Sequence, residues 1–202
     1  MKRYLVLENG AVWEGEAFGA DGETTAETVF TTDSEYMTNF SDGCYAGQAV
    51  VQTFPLLGDY GAVIEDMEGR KAAPAAYIVR EWTAEPSNFR SGGNIDAFMK
   101  ERGIIGLCGS DTRALCRMLR SEGEMNGMIC SDPASADSAL IKAYRVKTAL
   151  WEGEAETVGG EEGKFTVAAP DLGGDCGEMR ALAEKGCRVI RLRGAATAEE
   201  IR

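Results

Sequence analysis

No histidine occurs among the 202 residues. Histidine is the side chain whose ordinary pKa lies closest to neutrality, so neither a Ser-His-Asp nor a Cys-His nucleophile can be assembled from these residues alone. Cations are also scarce: 21 Lys and Arg face 33 Asp and Glu, a formal charge of −12. Such a charge repels nucleic acid and anionic membrane surfaces, which excludes both as main partners away from a local basic patch. No apolar run approaches the roughly 18 residues of a spanning helix, and Met1 leads directly into a strand pattern instead of a signal peptide, so the expected location is the cytoplasm. The six cysteines, Cys44, Cys108, Cys116, Cys130, Cys176 and Cys187, include no CxxC pair. In a cytosolic chain they are expected to be reduced and mostly buried, with no zinc site and no disulfide framework.

The residues present predict a mixed β and α unit. Arg3 to Glu8 and Ala11 to Phe18 read as strands around Asn9-Gly10, a hairpin signal for a type I′ turn with positive φ at both central residues. Thr24–Thr32, Gln48–Phe54 and Pro74–Trp82 are further strands, and the apolar run Ile104–Cys108 is a short one. Asn94–Arg102 is a helix closed by Gly103. The helix after Ser110 is the clearest: Ser110 or Asp111 caps it, Leu115, Met118 and Leu119 face inward, and Gly123 ends it. Met125–Cys130 is another strand. Asp132-Pro133 then opens a helix running to about Tyr144. Arg113, Arg117 and Arg120 fall at i, i+4 and i+7 on one helix face. They read either as a solvated face or as a docking surface for an acidic partner.

Trp151–Gly163 is acidic and glycine-rich without periodicity, and reads as a linker between residues 1–150 and 164–202. Lys164–Ala169 and Cys187–Leu192 are strands flanking a helix, Cys176–Lys185, that ends at Gly186. Thr197 to Glu200 then forms a capping box followed only by Ile201 and Arg202. One βαβ unit cannot bury a parallel sheet, and a helix this short is not stable alone, so a longer protein cut after Arg202 is expected.

Several blocks in chain order resemble the small subunit of glutamine-hydrolysing carbamoyl-phosphate synthetase. LVLENGAVWEGEAFGADGET is similar to its opening hairpin, YAGQAVVQTFPLLGDYG to its next strand and turn, and VREWTAEPSNFRS to its PSN-[WF]-RS block. GIIGLCGSDTRALCRMLRSEGEMNGMI resembles its G-I-x-G-[IL]-x-G-x-DTRALTRxLR stretch and the G-x-M-x-G that follows. VAAPDLGGDCGEMRALAEKGCRVIRL with TAEEI resembles the start of its class I glutamine amidotransferase domain. The resemblance implies an α/β fold: a mixed swivelling β/β/α N-terminal domain (1–150), a linker (151–163), and the opening βαβ unit of a truncated flavodoxin-like domain (164–202).

It also implies function. The family hydrolyses glutamine with a Cys-His-Glu triad and passes ammonia to a large subunit, which uses ATP and Mg to make carbamoyl phosphate from bicarbonate for pyrimidine or arginine synthesis. The GHQ-bearing nucleophile elbow is missing from this sequence, so the chain is expected to be inert alone, with no catalytic residue, metal or cofactor of its own. Its expected role is to bind the large subunit, the alternative being a stand-alone binding module or a divergent inactive homologue. In the family's T-D-P-S-Y block a serine approaches glutamine; Ser41-Asp42-Gly43-Cys44-Tyr45 places Cys44 there, a thiol being the weaker donor. F-N-T-x-M-T-G-Y becomes Phe30 to Tyr36, one residue shorter, and D-[FY]-G-x-K-x-N becomes Asp171 to Gly177 without its lysine and asparagine. Asp111, Thr112 and Arg113 carry two readings, a local helix start or a large-subunit contact in which Arg113 meets a carboxylate bidentately.

Overall fold

A computed structural model describes residues 1–67, 73–145, 153–160, 162–172 and 177–201. Strands β1 (Lys2–Leu7), β2 (Val12–Gly19), β3 (Thr24–Thr31), β4 (Ala49–Gln52), β6 (Ala76–Val79), β8 (Ile105–Cys108) and β9 (Met125–Cys130) close a barrel in the order β1-β2-β8-β6-β4-β3-β9. β3, β4, β6 and β8 run parallel, while the joints with β1, β2 and β9 are antiparallel. Closure leaves no unpaired strand edge in this set. Two-residue strands β5 (Leu56–Leu57) and β7 (Glu81–Trp82) pair beside it.

Period-two patterning decides the barrel's two layers. Leu5, Leu7, Ala49, Val51, Ala76, Ile78, Leu107 and Ile129 form one cluster, joined by Leu115 and Leu119 of helix α3 (Thr112–Glu122). Their strand neighbours Val50, Tyr77 and Val79 turn to the other face and pack with helices α1 (Tyr36–Ser41) and α2 (Ile95–Glu101). β4 and β6 are therefore buried on both faces. Each fully buried Leu or Ile contributes roughly 2 kcal/mol, as an upper figure for area removed from water. Arg3 is buried at 2% exposure, and its guanidinium donates to the carbonyls of Phe18, Gly106 and Ala20 at 3.2, 2.8 and 3.3 Å. Burial lowers its pKa, with Asp21 and Glu23 acting in the opposite sense.

Local chemistry corrects several expectations. Only Gly10 of the first turn has positive φ, at 88°. Gly10 N–H bonds the Leu7 carbonyl and Leu7 N–H bonds the Ala11 carbonyl. The hairpin thus has a three-residue loop with glycine in the left-handed position, not a type I′ turn. The helix expected from Asp132 to Tyr144 is split into a 3₁₀ turn, Pro133–Ser135, and α4 (Ser138–Ala143), because Asp137 caps a new start by accepting from Ala139 and Leu140 N–H. Of the five described cysteines only Cys116 and Cys130 are buried; Cys44 is exposed and Cys108 and Cys187 lie between.

The C-terminal part holds a three-stranded sheet ordered β10 (Glu156–Val158), β12 (Cys187–Arg193), β11 (Phe165–Asp171), with α5 (Gly177–Glu184) between the parallel pair. The expected linker therefore contains a strand; residues 146–152, where the 1–150 boundary was placed, lie outside the described residues. Arg191 holds the three strands together: Nε and Nη2 donate to Asp171 Oδ2 at 2.8 and 2.6 Å and Nη1 to Glu156 Oε1 at 2.7 Å. α6 (Ala198–Ile201) carries the expected capping box, with Thr197 N–H on Glu200 Oε2 at 2.7 Å and Glu200 N–H on Thr197 Oγ1 at 3.3 Å. Phe165 and Leu172 stay exposed on this small sheet. No helix of the described residues is long and apolar enough to cross a membrane.

Candidate functional site

Three places on the barrel carry the residues of interest. Cys44 lies in the 3₁₀ turn Gly43–Tyr45 between α1 and β4. Asp42 sets that turn by accepting the Cys44 N–H on Oδ1 at 2.8 Å. The Cys44 residue is exposed, whereas α1 just before it is buried on almost every side. Cys176, on the stretch 173–176 that departs from the family pattern, lies outside the described residues.

Asp111, Thr112 and Arg113 begin α3, on a different element. Asp111 is the cap, its Oδ1 accepting from Ala114 N–H at 3.0 Å. Ser110 does not cap; it is buried and donates its hydroxyl to the Glu14 carbonyl at 2.8 Å. Thr112 is buried at 3% exposure, so of the three residues only Asp111 and Arg113 reach solvent. Arg117 and Arg120 extend the exposed face begun by Arg113. The Arg120 guanidinium lies 5.3 Å over the Phe30 ring, a cation–π contact.

A third place was not singled out from sequence. A cleft of about 730 Å³ is lined by Glu35, Met37, Phe54, Tyr60, Asp66 and Arg90 among others. The segments quoted above as LLGDYG and PSNFRS meet here. Backbone bonds join them, Ser87 N–H to the Asp59 carbonyl and Gly92 N–H to the Ala62 carbonyl at 2.9 and 2.8 Å. Arg90 closes the junction on Asp66 at 2.5 Å. Tyr36 and Tyr60 stack with ring centroids 4.1 Å apart, and the Tyr36 hydroxyl donates to the Gly61 carbonyl. Burial pushes the Tyr60 phenol up to about 12, and raises Tyr36 further. Tyr60 lines the cleft, while Tyr36 is buried behind it. Phe89, beside Asn88 and Arg90, is 98% exposed. The signal available in sequence was the presence of the two blocks themselves, which carry no local mark of their meeting.

Behind α1 runs a buried polar chain: Asn39 Nδ2 donates to the Tyr77 hydroxyl at 3.3 Å, which donates to Gln52 Oε1 at 2.7 Å. It orients α1 on the barrel, and hence the turn bearing Cys44. Among the described residues no group of three His, Cys, Asp or Glu side chains could hold a metal ion.

Residues 5–129, the span of the barrel from β1 to β9, match the family described as carbamoyl-phosphate synthase small chain, CPSase domain. The carbamoyl phosphate synthase small chain of Chlorobaculum tepidum is 40% identical over 210 residues, covering 98% of this chain and 56% of the relative. That of Fusobacterium nucleatum is 40% identical over 207 residues, covering 98% and 57%. That of Bacillus caldolyticus is 38% identical over 206 residues, covering 100% and 57%. The chain thus spans a little over half the length of these curated relatives. With a family match over more than half of its residues, the chain belongs to the carbamoyl-phosphate synthase small-chain family.

Proposed function

We propose that this chain is the large-subunit-binding part of the small, glutamine amidotransferase subunit of a cytoplasmic carbamoyl-phosphate synthase. In the complete enzyme, ammonia released from glutamine is passed to a large subunit, which uses ATP and Mg to make carbamoyl phosphate from bicarbonate for pyrimidine or arginine biosynthesis. The observation that carries the reading is the match over residues 5–129, which coincides with the closed barrel and α3. The barrel then corresponds to a swivelling β/β/α domain, and β11–α5–β12 to the opening unit of a flavodoxin-like amidotransferase domain.

Within that reading the start of α3 faces the large subunit. Arg113 supplies the outward-facing group, and Asp111 and Thr112 fix the helix turn that presents it. Cys44 lies where the small subunit approaches glutamine, its thiol offering a weaker hydrogen bond than a serine hydroxyl. No residue of the chain is assigned to catalysis, since a histidine-dependent triad needs a side chain this sequence does not contain.

The test is size-exclusion chromatography of the chain with a cognate large subunit, followed by assay of the complex with glutamine and with ammonium. A complex that forms carbamoyl phosphate from ammonium but not from glutamine is the expected result. Separate elution of the two proteins at micromolar concentration would refute the assignment.

A further inference from the structure

We propose that the outer face of α3 receives an acidic segment of the large subunit, whose carboxylates seat among Arg113, Arg117 and Arg120. The inference rests on the proposed binding of that subunit and specifies the chemistry of the contact. The three arginines recur at i, i+4 and i+7, which lines them along about 10 Å of helix at 1.5 Å per residue. Elsewhere in the chain Lys2, Arg90, Lys100, Arg191 and Arg193 are each paired with a carboxylate of the same chain. Arg113 and Arg117 have no such pair and no side-chain hydrogen bond among the described residues. In a protein with 33 acidic residues, three exposed guanidiniums follow one another along one helix face with no ion pair to a carboxylate among the described residues.

The surface beside Arg117 and Arg120 offers room for a carboxylate. A hollow of about 560 Å³ is lined by Arg117, Met118, Arg120, Ser121 and Glu122. Met118, half-buried against the barrel core, gives it an apolar base. Phe30 also steers Arg120 from below. The one carboxylate in the lining, Glu122, accepts on Oε2 from Asn9 Nδ2 at 2.9 Å. With two guanidiniums against one carboxylate the hollow stays net cationic over its apolar floor, where a guanidinium–carboxylate pair loses less to water than on an open surface. A phosphate polymer is the weaker match, because the net charge of −12 would oppose its long-range field, whereas a short acidic protein segment engages the face alone.

The experiment compares the chain with its Arg113→Glu/Arg117→Glu variant, titrating each into the large subunit at low salt and at half-molar salt. Both side chains are exposed and make no ion pair or side-chain hydrogen bond among the described residues, so thermal melting is expected to be unchanged. The Arg113→Gln/Arg117→Gln variant serves if the reversal perturbs folding. Charge reversal is expected to weaken Kd about 10-fold or more at low salt and to flatten its salt dependence, while Arg113→Lys/Arg117→Lys, which keeps the charge but not the bidentate fork, keeps the salt dependence with a smaller loss of affinity. A wild-type complex that both charge-altering variants reproduce, with the same Kd and salt slope, would overturn the acidic-segment inference and leave the proposed function standing. Absence of a wild-type complex would overturn both.

Discussion

Gly127→Ala tests whether the barrel interior is packed as closely as its geometry requires. Gly127 lies on β9 opposite Leu7 of β1, and its φ is not in the left-handed region, so the backbone itself accepts alanine. The obstacle is space. A Cβ there would lie 2.8 Å from Leu5 Cδ1, 2.8 Å from Thr28 Oγ1 and 2.9 Å from Leu7 Cδ2. Favourable carbon contacts lie near 3.5–4.0 Å, so three buried side chains must each give way by roughly 0.7 Å. Leu5 is 0% and Leu7 1% exposed, which leaves neither an outward route. Overpacking of this kind costs about 1–3 kcal/mol, against about 0.4–1 kcal/mol gained by stiffening the unfolded chain. The net expectation is a loss of about 1–2 kcal/mol, or a Tm lower by about 2–8 °C for a chain of this length. Urea and thermal unfolding followed by near-ultraviolet circular dichroism would measure it. The mechanism is separable from a generic defect by a cycle with Leu5→Ala, which costs about 2–5 kcal/mol alone by leaving a cavity. Because the Gly127→Ala methyl points at the space Leu5 vacates, the double variant should be more stable than the sum of the two losses by at least about 0.5 kcal/mol. Strict additivity, or a Gly127→Ala protein as stable as the parent, would refute the packing argument.

Asp111→Ala should lower the unfolding free energy by about 1 kcal/mol in urea titration, since Ala114 N–H loses its cap, while Asp111→Asn should retain most of it; equal losses would show that capping is not the role of the side chain. Glu23 accepts from both the backbone N–H and the hydroxyl of Ser131, and these bonds, backbone first, lower its pKa. A depressed carboxyl stabilises the fold above its unfolded pKa of about 4.3 and loses that contribution as pH falls through the folded value. Glu23→Gln should therefore be less stable than the parent near pH 7, by under about 1 kcal/mol for so exposed a group, with the difference closing in acid. A difference independent of pH between 7 and 2 would contradict the assignment.

The barrel strands were legible by two signals: alternating burial in β1, as in Leu5 and Leu7, and short continuous apolar runs in β4, β6 and β8, which are buried on both faces. What sequence did not supply was closure, since pairing of β9 with both β1 and β3 joins residues about a hundred or more positions apart and leaves no local trace. α1 was illegible for a different reason. Its cap residue Glu35 makes no side-chain cap bond, and Tyr36, Met37, Asn39, Phe40 and Ser41 are all buried, so there is neither a start signal nor an amphipathic period. β10 was missed because Glu156, Thr157 and Val158 are too few to show alternation; they are a strand only because β12 offers its edge, where Arg191 meets Glu156. At Asp137 a residue with strong local capping chemistry overrode a longer helical pattern.

The same distinction applies to the site. The start of α3 could be read from the chain because a cap, a helix face and three arginines are all encoded within eleven residues. The cleft could not, because its chemistry is created by assembly: Arg90 meets Asp66 across 24 positions, and the Tyr36–Tyr60 stack forms only when α1 is seated on the barrel. Seating α1 depends in turn on Tyr77, a strand residue whose hydroxyl is held between Asn39 and Gln52. A single buried phenol thus links the barrel wall to the helix that walls the cleft and leads into the turn carrying Cys44. The turn at Cys44 is set locally by Asp42, but α1, which leads into it, is held by Tyr77 and Gln52 of β6 and β4, so substitutions at those two residues should disturb the turn without touching it.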